Sequence, residues 1–433
     1  MKIGNEREVA VFALIDILDS KGYNNIVLKR TLNQNKNLSS IQKALVTQIV
    51  NGTLKNLIHL DYIINYFSKT KTTKMKPLIL NTLRISVYQI KFIDKIPYSA
   101  VCNEAVNLVK SKGFKNLSGF INGVLRNTIR NIDNIEYPSY EKDPINYIST
   151  KYSYPIWLVE YFMEFMNKDE IENLCARSND APKMTISANT TKITRDALIE
   201  KLKNEGMEAT KGELTDKSIY ISKTANILDS PSFKDGLFHI IDESSMVAVE
   251  SLCPKEGDIV YDLCSAPGGK SFYAAYLMNN KGIIESCDIY PHKLNLVEES
   301  AKRLGIEIIN TYENDATKHY SDKIGKADCV LIDAPCTGFG LLRKKPDIKY
   351  TKTKDDIYAL AKVQREILSK SYNYVKIGGT LVYSTCTISE EENIKNVDWF
   401  TKNYDYEVCH TKQFLPSTSN TDGFFIAKMI RKG

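Results

Sequence analysis

The sequence has 433 residues, 43% of them apolar, which is too long for one ordinary core and indicates two or three domains. The formal charge of +6 is uneven, since residues 1–140 carry +11 and the rest −5, which indicates a polyanionic partner or, equally on charge alone, a solvated Lys-rich face. No stretch approaches the roughly 18 to 20 uncharged apolar residues of a membrane span, and the charged start MKIGNEREVAVF is unlike a signal peptide, so we expect a cytoplasmic protein without a membrane partner.

The first third of the chain has apolar residues at helical spacing. Pro77 stands where one helix could begin, and Gly113 ends another. The pattern predicts an all-α bundle over residues 1–135. Its stripes lie at 11–18, 46–57, 80–90, 101–109 and 121–128.

Two arginines on the last of these helices are candidates for phosphate contacts. Arg126 and Arg130 are four residues apart and so share one face. Two exposed arginines without a ligand would give the same pattern.

A segment rich in Pro, Asp and Tyr follows the bundle. It lacks periodicity, which is typical of a linker, and we place the linker at 136–150. Residues 151–250 then combine a helical start, the strand-like KMTISAN and SIYIS, and the helical TRDALIEKLKNEG between them. They predict a small α/β domain that connects the others or binds RNA.

Residues 251–433 alternate apolar strand-like runs with helical segments. The runs are DIVYDL, GIIESCDI, IEIINTY, ADCVLID and GGTLVYST. Strands rich in Val, Ile and Leu that alternate with helices predict a doubly wound, Rossmann-like α/β domain with a parallel sheet. Such sheets bind ligands at the carboxyl ends of their strands.

The first of these strands runs into the loop CSAPGGKS, Cys264 to Ser271. Gly268 and Gly269 allow a ligand to approach the backbone closely, and the following helix start offers N–H groups to an anion. The loop matches neither a Walker A nor a dinucleotide motif, and Asp288 follows at the distance of an acid that binds ribose hydroxyls. A nucleoside cofactor without a diphosphate is therefore indicated.

Later strands deliver further candidates. Asp315 follows the third strand and could contact an adenine, although an exposed loop acid or a helix-capping acid is an equally good interpretation. The fourth strand ends in Asp333 and Cys336, and the fifth ends in Cys386. Neighbouring strands of this order would bring both thiols to one sheet edge beside the cofactor.

Three other interpretations of the two cysteines are weaker. Nine cysteines, an odd number, do not suggest a disulfide framework. A metal site is not expected, because neither cysteine has a C-x-x-C partner and no histidine is near. A buried inert thiol is the usual fate of free cysteine, but the positions at strand ends favour chemistry.

A thiol beside a nucleoside cofactor suits methylation of carbon 5 of a cytosine. Addition of a thiolate to carbon 6 makes carbon 5 nucleophilic toward a methyl sulfonium. A base must then remove the proton from carbon 5, and an acid near the ring nitrogens must balance charge. Asp333 is suited to that ring contact, and a second thiol could assist release.

Taken together, YDLCSAPGGKS, IDAPCTGFGLLRKKPDIKY and VYSTCTISEEEN resemble three motifs of the RsmB/Sun branch of RNA 5-methylcytosine methyltransferases. The resemblance implies S-adenosylmethionine as the cofactor, Cys386 as the nucleophile and Cys336 as an aid to product release. The run DGFFIAKM resembles the last strand of the family, which implies an antiparallel strand at the sheet edge. Cofactor contacts are implied for Cys264, Ser265, Ala266, Pro267, Gly268, Gly269, Lys270, Asp288, Asp315 and Asp333.

The first domain carries a second resemblance. YSAVCNEAVNLVK and GFINGVLRN are similar to the NusB-like RNA-binding domain of this branch, and IIDESSMVAVE to the segment that leads into its catalytic domain. The resemblance implies small-subunit 16S rRNA, free or in an assembling subunit, at the cytosine called 967. We expect a monomer.

Some positions depart from the family's commonest pattern, and other functions stay open. Lys344, Lys345 and Tyr350 replace Arg-His and Trp, and TISAN is a loose match to the middle domain. The target could instead be another rRNA or tRNA cytosine. A NusB-like scaffold without activity is disfavoured because both thiols and the glycine loop are present. A DNA cytosine methyltransferase is disfavoured because its nucleophile would follow the fourth strand.

Overall fold

The structure is a computed structural model that describes residues 5–20, 24–223 and 227–433, without the side chains of Ser20 and Lys223. Its contacts divide the chain into two compact units. The first unit is Met1–Asn179 with Lys344–Lys352, and the second is Asp180–Arg343 with Thr353–Gly433. None of the described helices combines the length and apolar character that a membrane crossing requires.

The first unit is helical, as predicted, and its core is the apolar stripes of the sequence. Leu14, Ile49 and Leu83 are among the side chains that are fully buried in it. The helices before residue 180 are α1 (Glu6–Ser20), α2 (Asn24–Gln34), α3 (Ser40–Lys55), α4 (Leu57–Phe67), α5 (Pro77–Phe92), α6 (Tyr98–Ser111), α7 (Ser118–Asn131), α8 (Pro144–Tyr152), α9 (Ile156–Met163) and α10 (Lys168–Arg177).

The stripe at 46–57 is split between two helices. Asn56 ends α3, because its backbone N–H donates to the carbonyls of Gly52 and Thr53 and its side-chain amide donates to Gly52. The helix α4 begins at the next residue. The apolar stripe that was predicted as one helix therefore belongs to two helices, and the capping contacts of Asn56 mark the break between them.

Part of the segment predicted as a linker forms the helix α8. Asp143 caps it by accepting the N–H of Asn146, and Pro144 occupies its first turn. Ile148 is fully buried on this helix. The helix escaped the sequence analysis because it is short and mixes polar with apolar residues; the bounds of the domains stay predictions.

The second unit contains two sheets. The smaller is antiparallel, with strand order β2-β3-β1-β4, and the larger has the order β10-β11-β9-β8-β5-β6-β7. In chain order the elements are β1 (Met184–Ala188), α11 (Arg195–Asn204), β2 (Glu208–Lys211), β3 (Ser218–Lys223), α12 (Pro231–Lys234), β4 (Phe238–Ile240), α13 (Glu243–Leu252), β5 (Ile259–Asp262), α14 (Gly269–Leu277), β6 (Ile283–Asp288), α15 (Pro291–Leu304), β7 (Ile309–Glu313), β8 (Ala327–Asp333), α16 (Ile348–Thr351, in the first unit), α17 (Lys354–Ser371), β9 (Val375–Thr385), α18 (Ile394–Asn403), β10 (Tyr406–Phe414) and β11 (Phe424–Arg431).

The predicted Rossmann-like domain is confirmed, with β5 to β9 as parallel neighbours. The strand β5 pairs with β6 on one side and with β8 on the other, and the chain runs through β6 and β7 before it crosses to β8. The carboxyl end of β5 therefore lies at the switch in strand order. The predicted antiparallel strand β11 was wrongly placed at the edge of the sheet, since it lies between β9 and β10. The edge strand β10 escaped notice because its central residues are exposed and show no apolar alternation.

Candidate active site

The loop after β5 is shaped by glycine. Gly268 has φ +94°, in the left-handed region, and donates its N–H to Ser265 at 2.7 Å. A Cβ at Gly268 would stand 2.6 Å from the Phe272 ring, so no side chain fits without a shift. The helix α14 begins at the next residue, Gly269. Glycine is therefore required here for the left-handed turn and for the packing of Phe272 against it, and the close approach of a cofactor to this loop stays a prediction.

Two buried polar atoms at this loop have no hydrogen-bond partner among the described residues: Oδ1 of Asp262 and Oγ of Ser265. The other oxygen of Asp262 accepts the Ser271 hydroxyl at 2.7 Å. Burial raises the pKa of Asp262 to about 7, and the negative charge of Asp333 adds to that. Buried polar atoms without partners are uncommon, and either a bound ligand or an ordered water would satisfy these two. Sequence reasoning counted Asp262 only as the end of a strand.

The two acids expected at the nucleoside differ in their surroundings. Asp288 ends β6, is 8% exposed and accepts the N–H of Tyr290 at 3.0 Å. Asp315 accepts both the N–H and the hydroxyl of Thr317, and these bonds lower the pKa of its carboxyl. Asp315 therefore stabilises a turn and does not cap a helix, and a contact with adenine stays a prediction.

A short ion pair links the cofactor loop to the strand that precedes the first thiol. The Nζ of Lys270 lies 2.6 Å from Oδ2 of Asp333, and Ser384 donates to Oδ1 of Asp333 at 2.8 Å. Burial opposes the charged form of Lys270, but the attraction of Asp333 outweighs it and raises the Lys270 pKa. These two bonds fix the direction of both carboxylate oxygens of Asp333. A fixed direction is what a side chain needs if it is to contact a substrate at a set angle.

The two thiols lie in contact. The Sγ atoms of Cys336 and Cys386 are 3.2 Å apart, and both side chains are half-buried. The cause is the register of the sheet, which pairs Asp333 on β8 with Ser384 on β9 in parallel, so the two chains leave the sheet side by side. The sequence predicted this juxtaposition from strand order alone.

The pKa of Cys336 is raised well above its usual value. The largest cause is the hydrogen bond with Cys386, followed by burial and by the charges of Cys386, Glu392 and Asp333.

A contact between two glycines fixes the loop after Cys336. Gly340 donates its N–H to the carbonyl of Cys386 at 3.0 Å and accepts the N–H of Gly423 at 2.9 Å. A Cβ at Gly340 would stand 1.7 Å from the carbonyl oxygen of Gly423. The thiol loops are thus bound backbone to backbone at a point where no side chain fits.

Sequence reasoning also passed over Glu392, which it counted as part of the acidic run SEEEN. Its neighbours Glu390 and Glu391 are half-buried, whereas Glu392 is fully buried. A buried acid needs partners, and the signal that could have marked it is its position six residues after Cys386. Among the described residues, no group of three or more His, Cys, Asp or Glu side chains is arranged to hold a metal ion.

Comparison with known proteins gives three matching family models. Residues 249–430 match the 16S rRNA methyltransferase RsmB/F family, 4–130 match the NusB family, and 154–228 match the RsmF/B-like ferredoxin-like domain. The last match supplies a fold for the small sheet domain that the sequence analysis had described only as α/β.

Two curated relatives and one solved structure align over nearly the whole chain. The probable ribosomal RNA small subunit methyltransferase B of Bacillus subtilis is 38% identical, with 100% of each chain covered. Ribosomal RNA small subunit methyltransferase B of Escherichia coli is 30% identical over 91% of this chain and 92% of its own. The crystal structure of PH0851 superposes with a TM-score of 0.81 at 26% identity, with 100% of each chain covered.

These findings confirm the predicted enzyme class, an S-adenosylmethionine-dependent RNA methyltransferase. They also confirm the combination of a NusB-like helical domain with a Rossmann-like domain. Because a relative 38% identical spans the entire chain, the family is settled: the chain belongs to the RsmB/F family of 16S rRNA methyltransferases.

Proposed function

We propose that this protein transfers a methyl group from S-adenosylmethionine to carbon 5 of a cytosine in small-subunit rRNA, through a covalent bond between Cys386 and carbon 6. The observation that carries the proposal is the contact of the Cys336 and Cys386 sulfurs at 3.2 Å, beside Asp333. The target is the cytosine called 967 in 16S rRNA, as the resemblance to RsmB implies; the names of the relatives support small-subunit rRNA as the substrate.

The residues at the carboxyl ends of β5 and β6 fit the cofactor. The unpartnered oxygens of Asp262 and Ser265 offer hydrogen bonds to a polar ligand, and Gly268 supplies the left-handed turn from which α14 begins. Asp288 is placed to bind ribose hydroxyls, with Asp315 at the adenine. The remaining cofactor contacts are Cys264, Ala266, Pro267, Gly269, Lys270 and Asp333.

Cys386 acts as the nucleophile. Its thiolate forms the bond from Sγ to carbon 6 of the base, and the electron pair of the C5–C6 double bond moves onto carbon 5. When bound, S-adenosylmethionine would supply the electrophilic methyl group, which carbon 5 takes with its electron pair. Asp333, held by Lys270 and Ser384, contacts the ring nitrogens.

Cys336 completes the reaction. The largest cause of its raised pKa is the hydrogen bond with Cys386, ahead of burial, and that bond ends when the Cys386 sulfur is bonded to carbon 6. Cys336 then loses its proton to water and takes the proton from carbon 5. The C5–C6 double bond re-forms, and the electron pair of the C6–S bond returns to Cys386. One proton is released for each methyl group transferred.

The first unit supplies capture of the RNA. The excess of positive charge in residues 1–140 attracts phosphate, and Arg126 and Arg130 are both exposed on α7. The substrate is the free rRNA or the assembling small subunit, and the enzyme acts as a monomer. Nine free cysteines fit the reducing cytoplasm, which we propose as the compartment.

The test compares wild type, Cys336→Ala and Cys386→Ala, each incubated with small-subunit rRNA and S-adenosylmethionine and run on a denaturing gel. We expect Cys336→Ala to accumulate a protein–RNA adduct and Cys386→Ala to be inactive. Sequencing of the trapped RNA then identifies the base. An adduct in Cys386→Ala would reverse the two roles, and methylation of tRNA alone would contradict the rRNA target. No methyl transfer by wild type would leave an RNA-binding scaffold.

A further inference from the structure

Two consecutive residues, Glu392 and Asn393, lie between β9 and α18 and contact both thiol loops. Neither touches the proposed cofactor loop, and neither has a role in the chemistry described above. Glu392 is 0% exposed and Asn393 is 2% exposed, although both are strongly polar. Polar groups buried to this degree are retained only where their hydrogen bonds are satisfied, so the partners of the two side chains are informative.

The carboxylate of Glu392 binds the loop that carries Cys336. It accepts the backbone N–H of Thr337 at 2.8 Å with Oε1 and the hydroxyl of Thr337 at 2.6 Å with Oε2. Gln364 donates both to Oε1 of Glu392 at 3.2 Å and to the carbonyl of Pro335 at 2.8 Å. The residues on either side of Cys336 are therefore tied to one carboxylate.

The amide of Asn393 binds the loop that carries Cys386. Its Oδ1 accepts the hydroxyl of Thr385 at 2.5 Å, and its Nδ2 donates to the carbonyl of Thr387 at 3.1 Å. The Nδ2 also donates to Gln413 at 2.9 Å. The residues on either side of Cys386 are thus tied to one amide, in the same manner as those around Cys336.

A direct bond joins the two loops as well. The hydroxyl oxygens of Thr337 and Thr387 are 2.8 Å apart, and since the hydroxyl of Thr337 donates to Glu392, Thr387 donates to Thr337. Glu392 and Asn393 share a peptide bond, which keeps the two anchors adjacent, while each side chain bonds its own thiol loop. A sulfur–sulfur contact of 3.2 Å needs this rigidity, since a shift of about 1 Å in a reacting group costs roughly 100-fold in rate.

We propose that Glu392 and Asn393 are paired positioning residues of the active site: Glu392 sets the position of Cys336 for release of the product, and Asn393 sets the position of Cys386 for attack. The inference rests on the proposed covalent mechanism. Substitutions of the two residues should have different kinetic effects although the residues are adjacent in the chain. Glu392 is bonded to the loop of the thiol that acts in product release, and Asn393 to the loop of the thiol that attacks the base.

The test uses the full chain, a transcript of small-subunit rRNA and S-adenosylmethionine with a labelled methyl group. Two quantities are measured in single-turnover reactions: the rate of methyl transfer and the fraction of RNA trapped as adduct. Glu392→Ala is expected to retain methyl transfer within about threefold and to raise the trapped fraction about tenfold. Asn393→Ala is expected to slow methyl transfer by about tenfold or more without trapping adduct.

Milder variants keep the test decisive if either alanine variant fails to fold. Thr337→Val removes one bond to Glu392 and the bond to Thr387, keeps the bond from the Thr337 N–H to Glu392, and should trap adduct as Glu392→Ala does, to a smaller extent. Thr385→Val removes one bond to Asn393 and should slow transfer without trapping. Glu392→Gln can still accept the Thr337 N–H and should restore release to within about threefold of wild type.

Asn189→Ala is the matched control for lost stability. Asn189 is a fully buried amide in the same unit, and it donates to the carbonyls of Gly236 and Leu304 at 2.9 Å. Its loss should lower the melting temperature and leave the ratio of trapping to transfer unchanged. The inference is overturned if the Glu392 and Asn393 variants lower the rate of methyl transfer and the trapped fraction by the same factor, as Asn189→Ala would at the same loss of stability. Failure of Cys336→Ala to trap any adduct would overturn the proposed mechanism instead.

Discussion

The side-chain nitrogen of Lys349 donates a hydrogen bond of 3.0 Å to the backbone carbonyl of Lys55. Lys349 lies on α16, in the short segment that leaves the second unit after Arg343 and packs within the first. It is 1% exposed, and its ammonium group stands 4.5 Å from the centre of the Tyr154 ring. A lysine is thus enclosed in the first unit only 13 residues after Cys336.

This burial predicts a pH dependence of stability. Burial lowers the pKa of Lys349 to about 7, whereas the ordinary value is 10.5. Between those two values the unfolded chain binds a proton that the folded chain does not, so the free energy of unfolding rises with pH. From pH 7 to pH 9 we expect a gain of about 2 kcal/mol, which Lys349→Met should abolish.

The measurement is urea denaturation followed by tryptophan fluorescence. The chain has two tryptophans, Trp157 in the first unit and Trp399 in the second. In a Trp399→Phe background the signal reports the first unit alone. An equal gain in stability with and without Lys349 would show that its ammonium group is not the source.

Gly340 makes a steric prediction. A Cβ there would stand 1.7 Å from the carbonyl oxygen of Gly423 and 2.8 Å from that of Cys386. Gly340→Ala should therefore push the thiol loops apart and cost about 1 to 3 kcal/mol of stability. In a Cys336→Ala background it should abolish the trapped adduct.

The control is Gly123→Ala in helix α7, where an added Cβ would meet no described atom within 4 Å. That variant should be stabilised by roughly 0.5 to 1 kcal/mol, since alanine loses less entropy in a helix. Wild-type activity in Gly340→Ala at permissive temperature would contradict a steric role for this glycine.

The sequence was sufficient for the sheet and the meeting of the thiols because both depend on local pattern. Apolar runs that end in Asp333 and Ser384 predict neighbouring strands, and the residues two or three positions later must then meet at the sheet edge. The contact of Cys336 with Cys386 follows from strand order without knowledge of any side-chain packing.

The features that escaped depend on contacts distant in sequence. The sequence around Lys349 does not indicate that this segment packs near Lys55, almost 300 residues earlier in the chain. In the sequence, Glu392 is not distinguished from the adjacent Glu390 and Glu391, and only its bonds to Thr337 set it apart. Asp262 reads as a strand end until its unpartnered oxygen is seen. Tertiary structure, rather than composition, makes each of these groups distinctive.

His239 makes a prediction for acid pH. Its Nε2 lies 3.0 Å from the carbonyl of Gly269 and its Nδ1 lies 3.2 Å from the hydroxyl of Tyr276, so the neutral ring donates to the first and accepts from the second. Burial lowers its pKa from 6.5 to about 3. Below pH 6.5 the unfolded chain binds a proton that the folded chain does not, so stability is lost as pH falls.

Between pH 7 and pH 5 this group should cost the second unit about 2 kcal/mol. His239→Asn should remove that part of the dependence, as read from the fluorescence of Trp399 in a Trp157→Phe background. Equal acid sensitivity in the variant and the wild type would assign the effect to other groups.

The ion pair of Lys270 and Asp333 separates two roles for the acid. Asp333→Asn keeps the shape of the side chain but removes the charge that faces Lys270 at 2.6 Å. If Asp333 balances charge on the base, methyl transfer should fall by roughly 100-fold, while the affinity for S-adenosylmethionine, measured by calorimetry, changes by less than about tenfold. Ser384→Ala leaves the charge and removes one bond of 2.8 Å, so transfer should fall only about fivefold. A variant Asp333→Asn that methylates at the wild-type rate but binds the cofactor weakly would confine Asp333 to cofactor binding, and the ring contact would then belong to another group.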